Sequence, residues 1–192
     1  MFSPIDIKNI RIKNRIVLPP IHTELSTEKG KPTEELYKHF ENFSSNIGLI
    51  IVGHSYIKQN GKLSKNQLGI HQDWLIPHLQ EISKTLHQND SKVAIQINHA
   101  GGRTNEELVG QIPLAPSKDY FRPKRVSQLN LDEIKKIKSE FVEAAKRAEE
   151  SNFDAVEIHG AHGYLLNQFT SPLSNNRKDE FGGTFDDRIR FP

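Results

Sequence analysis

Four short apolar runs punctuate the chain: Arg15–Pro19 (RIVLP), Gly48–Gly53 (GLIIVG), Lys92–Asn98 (KVAIQIN) and Phe153–His159 (FDAVEIH). Each is apolar at successive rather than alternate positions, the pattern of a strand covered on both faces in a parallel sheet. Between the runs, apolar positions recur every three or four residues, which predicts helices. Leu36, Phe40, Phe43 and Ile47 follow a start signal at Pro32-Thr33, and Leu75, Leu79, Ile82 and Leu86 follow Asp73. Ile134, Ile137, Phe141, Ala145 and Ala148 form one stripe of a helix over Leu131–Ser151. Asn130 is its N-cap, with Glu133 three residues on, where a capping box needs it. Ahead of the first run, Ile5, Ile7, Ile10 and Ile12 flank Lys8-Asn9, a pattern that predicts a hairpin fit to plug the bottom of a barrel.

Strand and helix alternating four times imply right-handed crossovers and a parallel sheet. The expected fold class is α/β of the TIM (β/α)8 barrel type, truncated to about the first four βα units behind an N-terminal β-hairpin. Residues 1–192 would form one incomplete barrel domain. A doubly wound dinucleotide-binding sheet is disfavoured, because Pro20-Ile21-His22-Thr23-Glu24 offers no glycine for a phosphate turn after the first strand. Gly101–Arg125 reads as a long irregular loop, and loops of that length tend to carry function.

Composition narrows the functional classes. A hydrophobic fraction of 35% with 26% charged residues is that of a soluble globular chain, and a net charge of +2 makes no case for a nucleic-acid partner. No cysteine is present, so thiol nucleophiles, disulfides and cysteine-held metals are excluded within these residues. No run approaches a membrane span, and Met1–Asn14 lacks the apolar core of a signal peptide, so the expected location is cytoplasmic.

In βα-barrels the site forms where the strands end. Here those ends read Pro20-Ile21-His22, Gly53-His54, Gln96-Ile97-Asn98-His99 and Glu157-Ile158-His159-Gly160-Ala161-His162-Gly163-Tyr164. Four strands thus deliver imidazole, amide or phenol groups to one rim. Neutral imidazoles three residues apart beside a tyrosine could polarise a carbonyl oxygen, with the phenol as proton donor. A competing reading is a metal site of His159 and His162 with His22, His54 or His99, kept alive by Glu157 on the same strand face as His159.

The motifs themselves resemble those of one family. Asn14–Pro20 (NRIVLPP) is similar to the opening strand of the old yellow enzyme family of FMN-dependent NADH:flavin oxidoreductases. Gln96–Arg103 (QINHAGGR) resembles its third-strand motif, Pro113–Ser117 (PLAPS) its following loop, and residues 153–191 its fourth strand and the segment after it. The resemblance implies an ene-reductase chemistry: NADH or NADPH reduces FMN, and hydride then passes to an activated alkene or a carbonyl-bearing small molecule. It implies that Pro19, Pro20, Ile21, His22, Gly53 and His54 line the cofactor, that Gln96 bonds its pyrimidine edge, and that Arg103 holds the neighbouring loop. It assigns the substrate oxygen to His159 and His162, proton donation to Tyr164, and no metal.

Two residues depart from the family pattern: His22 stands where threonine or cysteine is usual, and Glu24 where some members carry an aromatic residue. A complete barrel takes typically ~250 residues. The expectation for this span is therefore exposed strand edges, impaired activity and weak FMN binding, relieved by a homodimer or a partner chain completing the barrel. Two readings stand beside the reductase: a non-catalytic half-barrel that needs a partner chain, and a metal-dependent barrel hydrolase.

Overall fold

A computed structural model describes residues 1–42, 46–118, 120 and 124–192. The chain opens with an antiparallel hairpin, β1 (Ile5–Ile7) against β2 (Ile10–Ile12), in which Ile7 pairs with Ile10. The turn is the Lys8-Asn9 pair that the isoleucine spacing singled out, and Lys8 adopts φ 53° there. Four parallel strands follow in chain order: β3 (Val17–Leu18), β4 (Leu49–Tyr56), β5 (Lys92–Asn98) and β8 (Ala155–Ile158). The third run matches its strand residue for residue. The first shrinks to two residues, and the second extends three residues past Gly53.

Helices α1 (Glu34–Glu41), α2 (Ile76–His87) and α4 (Leu131–Glu150) lie between these strands. Their apolar stripes, among them Leu36, Leu79, Ile82, Ile134, Ile137 and Ala148, join Ile50, Val52, Val93, Ile95 and Ile97 in one buried cluster. Burying a side chain of this size is worth roughly 1.5–3 kcal/mol, so the cluster dominates the stability. In the α1 stripe, Phe43 lies outside the described residues, and Ile47 falls beyond the helix. Asn130 caps α4 as its sequence predicts: the side chain accepts from Glu133 N–H at 2.9 Å, and Glu133 accepts from Asn130 N–H at 2.8 Å. Asp73 begins a short 3-10 turn rather than α2 itself; Pro77, which has no N–H to waste, sits in the first turn of the helix.

The stretch expected to be an irregular loop is more ordered than that. It holds a single helical turn, α3 (Glu106–Val109), and strand β6 (Leu114–Ala115), which pairs in parallel with β7 (Ser127–Gln128). Two further helices, α5 (Leu165–Thr170) and α6 (Phe185–Arg188), follow β8. At the two edges of the four-stranded sheet, Val17 and Ile158 stand exposed. No helix among the described residues is long and apolar enough to cross a membrane.

One imidazole is sealed in the packed interior and a second is half-buried against it. His99 is fully enclosed; Gly101 N–H donates to its Nδ1 at 3.1 Å, which leaves the Nε2–H for Asn60 Oδ1 at 3.2 Å. Burial, with Lys58 nearby, pushes its pKa down to about 3. His71 stacks on Tyr56 with ring centres 4.5 Å apart, and burial, then Arg147 and Lys62, lower it to about 4. Each is neutral in the fold but gains a proton on unfolding below its ordinary 6.5, so the unfolded chain binds more protons. The stability these groups contribute is complete above pH 6.5 and drains as pH falls towards 4 and then 3. Urea midpoints measured through that window should decline steadily, and His99→Gln, if it folds, should flatten the decline.

Candidate functional site

Parallel strands end on the same side, and the end of β4 carries the first device of the site. The pairing of β4 with β5 slips between Val52 and Ser55, so that Gly53 and His54 form a bulge. A bulge re-aims side chains without breaking the sheet. A Cβ at position 53 would lie 2.1 Å from Pro20 Cβ, so the chain leaving β3 presses directly on the bulge backbone. His22 is thereby brought over His54, their rings stacked at 4.7 Å and 26°.

From the far end of the sheet, the turn after β8 supplies the remaining rings. His54 lies 5.6 Å from His159 and 5.3 Å from Tyr164; His159 lies 5.1 Å from His162 and 4.8 Å from Tyr164. Strand ends that are separate in sequence therefore share one mouth. His162 and Gly163 adopt φ 57° and 70° in succession, and a left-handed histidine costs roughly 1–2 kcal/mol. The turn is held by Arg103, which donates to His162 O at 2.7 Å, and by Asn167, whose Oδ1 accepts from Gly163 N–H at 2.8 Å. The Arg103 guanidinium also lies 5.8 Å over the Tyr164 ring.

Protonation follows from the packing. Burial, then the His22, His159 and His162 charges, lower the His54 pKa to about 3. Burial and His162 lower His159 to about 4. Burial raises the Tyr164 phenol, with Arg103 opposing. At neutral pH His54 and His159 are therefore neutral and the Tyr164 phenol keeps its proton. Ala161 N–H donates to His159 Nδ1 at 3.2 Å, so this ring points an Nε2–H outward. Gln96 lies on β5 opposite Glu157, its amide donating to Glu157 Oε1 at 2.5 Å, while its own carbonyl oxygen takes no hydrogen bond among the described residues.

Most residues named from sequence thus meet: Pro20 and Gly53 touch, and His22, His54, His159, His162 and Tyr164 form one cluster; Gln96 pairs instead with Glu157 on the neighbouring strand. Pro19 and Ile21 flank Pro20 on the exposed chain after β3. His99 does not belong to the rim; its ring is sealed inside. Glu157 spends its carboxylate on Gln96, and no group of three or more histidine, aspartate or glutamate side chains among the described residues is placed to hold a metal. Sequence reasoning missed the polar backing of the cluster. Glu24 and Ser64 both reach His22 Nε2, at 2.6 and 2.9 Å, and Gln67 and Asn98 both reach His54. Burial works to raise the Glu24 pKa, but hydrogen bonds from Ser64, His22 and Asn66 N–H win and hold it low.

The NADH:flavin oxidoreductase / NADH oxidase family model matches residues 1–192. The chain is 44% identical to an NADPH dehydrogenase of Clostridium acetobutylicum and 40% identical to one of Bacillus subtilis; each alignment covers 100% of this chain and 57% of the relative. Among solved structures it superposes on the old yellow enzyme from Pichia sp. AKU4542 with a TM-score of 0.94 at 30% identity, covering 99% of this chain and 53% of that one. The old yellow enzyme homologue from Zymomonas mobilis gives 0.92 at 30% identity, covering 99% and 56%. The chain spans little more than half the length of the relatives it matches. It belongs to the NADH:flavin oxidoreductase family, that of the old yellow enzymes, and its parallel sheet with interleaved helices corresponds to the N-terminal half of their barrel.

Proposed function

We propose that these residues form the flavin-facing and substrate-facing half of an NAD(P)H-dependent FMN oxidoreductase that reduces an activated C=C bond. The observation that carries this reading is the convergence of His54, His159, His162 and Tyr164, from two strand ends, with ring centres 4.8–6.3 Å apart. Donor chemistry fits the cofactor along one edge. The pyrimidine side of a flavin alternates acceptors and donors, and Gln96 on β5 offers an amide with a free carbonyl oxygen. Pro19 to His22, Gly53, His54 and Gln96 would hold it, His54 through its main chain, which leaves its ring to the mouth. Bound FMN supplies hydride transfer, which no side chain here can perform.

The chain's own residues bind and polarise the substrate. His159 and His162 hold the substrate oxygen, and N–H donors aimed at an oxygen that gains negative charge stabilise the transition state more than the ground state. Tyr164, kept protonated by burial, gives its proton to the neighbouring carbon. The Arg103 bond to His162 O keeps both rings in register.

A second reading, in which this span functions together with further strands, draws support from Val17 and Ile158, exposed at the two sheet edges. Sedimentation of the 192-residue chain should then show dimers or larger species; a clean monomer that binds FMN tightly would count against it.

In the FMN-loaded full-length protein, Tyr164→Phe should slow alkene reduction by ~10²–10⁴-fold while leaving reduction of the flavin by nicotinamide intact. Stopped-flow traces of the two half-reactions decide this, and equal losses in both would end the assignment. Replacing His159 and His162 together by alanine should weaken phenol binding, an enolate mimic, by about ten-fold or more. The 192-residue span alone should bind FMN no better than micromolar, since this fold grips phosphate with loops after strands seven and eight. Fluorescence titration with FMN checks it, and a sub-micromolar value would refute it.

A further inference from the structure

The pair at the end of β8 does not account for every donor at the mouth. His54 is set up differently from its neighbours, by two amides that converge on a single ring nitrogen. Gln67 Nε2 lies 2.9 Å and Asn98 Nδ2 3.1 Å from His54 Nδ1. The Gln67 amide nitrogen also lies 3.1 Å from the His54 carbonyl oxygen, which identifies that end of the side chain as the donor. Gln67 Oε1 is itself occupied, accepting from Leu63 N–H at 2.7 Å, so the amide cannot turn round.

An amide N–H can only donate, so Nδ1 must carry the lone pair and Nε2 the hydrogen. The ring is nine-tenths buried, yet Nε2 has no partner among the described residues and is not among the enclosed unpartnered atoms, so it opens on the mouth. His22, held by Glu24 and Ser64, stacks on one face of the ring and prevents it from swinging away. The other groups facing it are His159, His162 and Tyr164. Resting on the reading of this mouth as a substrate site, we propose that His54 is a third fixed N–H donor, which takes a second oxygen of the ligand and so selects a carboxylate over a simple carbonyl.

The argument for a second oxygen is a count of lone pairs. A carbonyl oxygen has two, and the N–H groups of His159 and His162 suffice to fill them. A further donor in the same mouth is best matched by a ligand that brings a second oxygen. A carboxylate brings that oxygen and a charge, and charge-assisted hydrogen bonds are roughly twice as strong as neutral ones. Because His54 stays neutral, its proton is always the donor proton, and no titration near pH 7 switches the site off.

Nitrogen NMR of the histidine-labelled protein, titrated with benzoate and, as the one-oxygen control, benzaldehyde, tests this directly. From about pH 8 to about pH 5, His54 should show a single Nε2–H tautomer, without the midpoint near neutrality of a free imidazole. Its Nε2 resonance should move with benzoate and stay still with benzaldehyde. His54→Gln should weaken benzoate by about ten-fold or more and change benzaldehyde by less than about two-fold, the loss expected for one charge-assisted bond. Should that variant fail to fold, Gln67→Leu keeps the imidazole and should yield a tautomer mixture with weaker benzoate binding. An Nδ1–H tautomer, a ring indifferent to benzoate, or parallel losses for both ligands would overturn the proposal. None of these readouts needs flavin. A His54 response in protein that never binds FMN sinks only the flavin reading, and a yellow protein with an unresponsive His54 sinks only this one.

Discussion

Parallel pairing of β3, β4, β5 and β8 sends each strand towards the same side of the sheet, and the site depends on that alignment. Antiparallel pairing would scatter the same residues over opposite ends. With it in place, Gly53-His54 and the turn from His159 to Tyr164 meet although about a hundred residues separate them in the chain. The helices contribute no side chain to that ring cluster. They bury the far face of the sheet, and the cluster built on Ile50, Val52, Val93, Ile95 and Ile97 makes the strands rigid enough for side-chain positions to mean something.

A second constraint is charge. Four imidazoles packed around one mouth cannot all be protonated, and burial settles the matter for His54 and His159 by holding them neutral. Neutral rings then act purely as directional donors. Backbone and amide groups decide which nitrogen carries the hydrogen: Ala161 N–H for His159, Gln67 and Asn98 for His54. Groups behind the rings thus determine which hydrogen the rim presents.

Much of this was legible from residue order. Successive apolar positions reveal the strands, and β5, buried along nearly its whole length, coincides with its run; β3 and β8, at the sheet edges, are exposed or half-buried instead. The Asn130–Glu133 box marks the start of α4 because capping is a matter of three residues' spacing. Other features leave no such trace. A bulge shifts the alternation of faces by one residue, and a run apolar at successive positions has no alternation to shift, so the extension of β4 to Tyr56 and the re-aiming of His54 were invisible. His99 looks like any other strand-end histidine, and only Gly61, where a Cβ would fall 2.4 Å from its ring, reveals how tightly it is sealed. Gln67 sits in a loop with no periodicity, and its partnership with His54 exists only in three dimensions.

The left-handed pair His162-Gly163 carries one last consequence. The strain in that turn is met when the chain folds, and Arg103 and Asn167 hold the result in place before anything binds. An incoming molecule therefore meets rings that have already surrendered their freedom, and little of its affinity is lost to ordering them. Such a mouth should discriminate by shape and by count of acceptors rather than by moulding itself to its guest, trading breadth of ligands for quick, unadjusted capture.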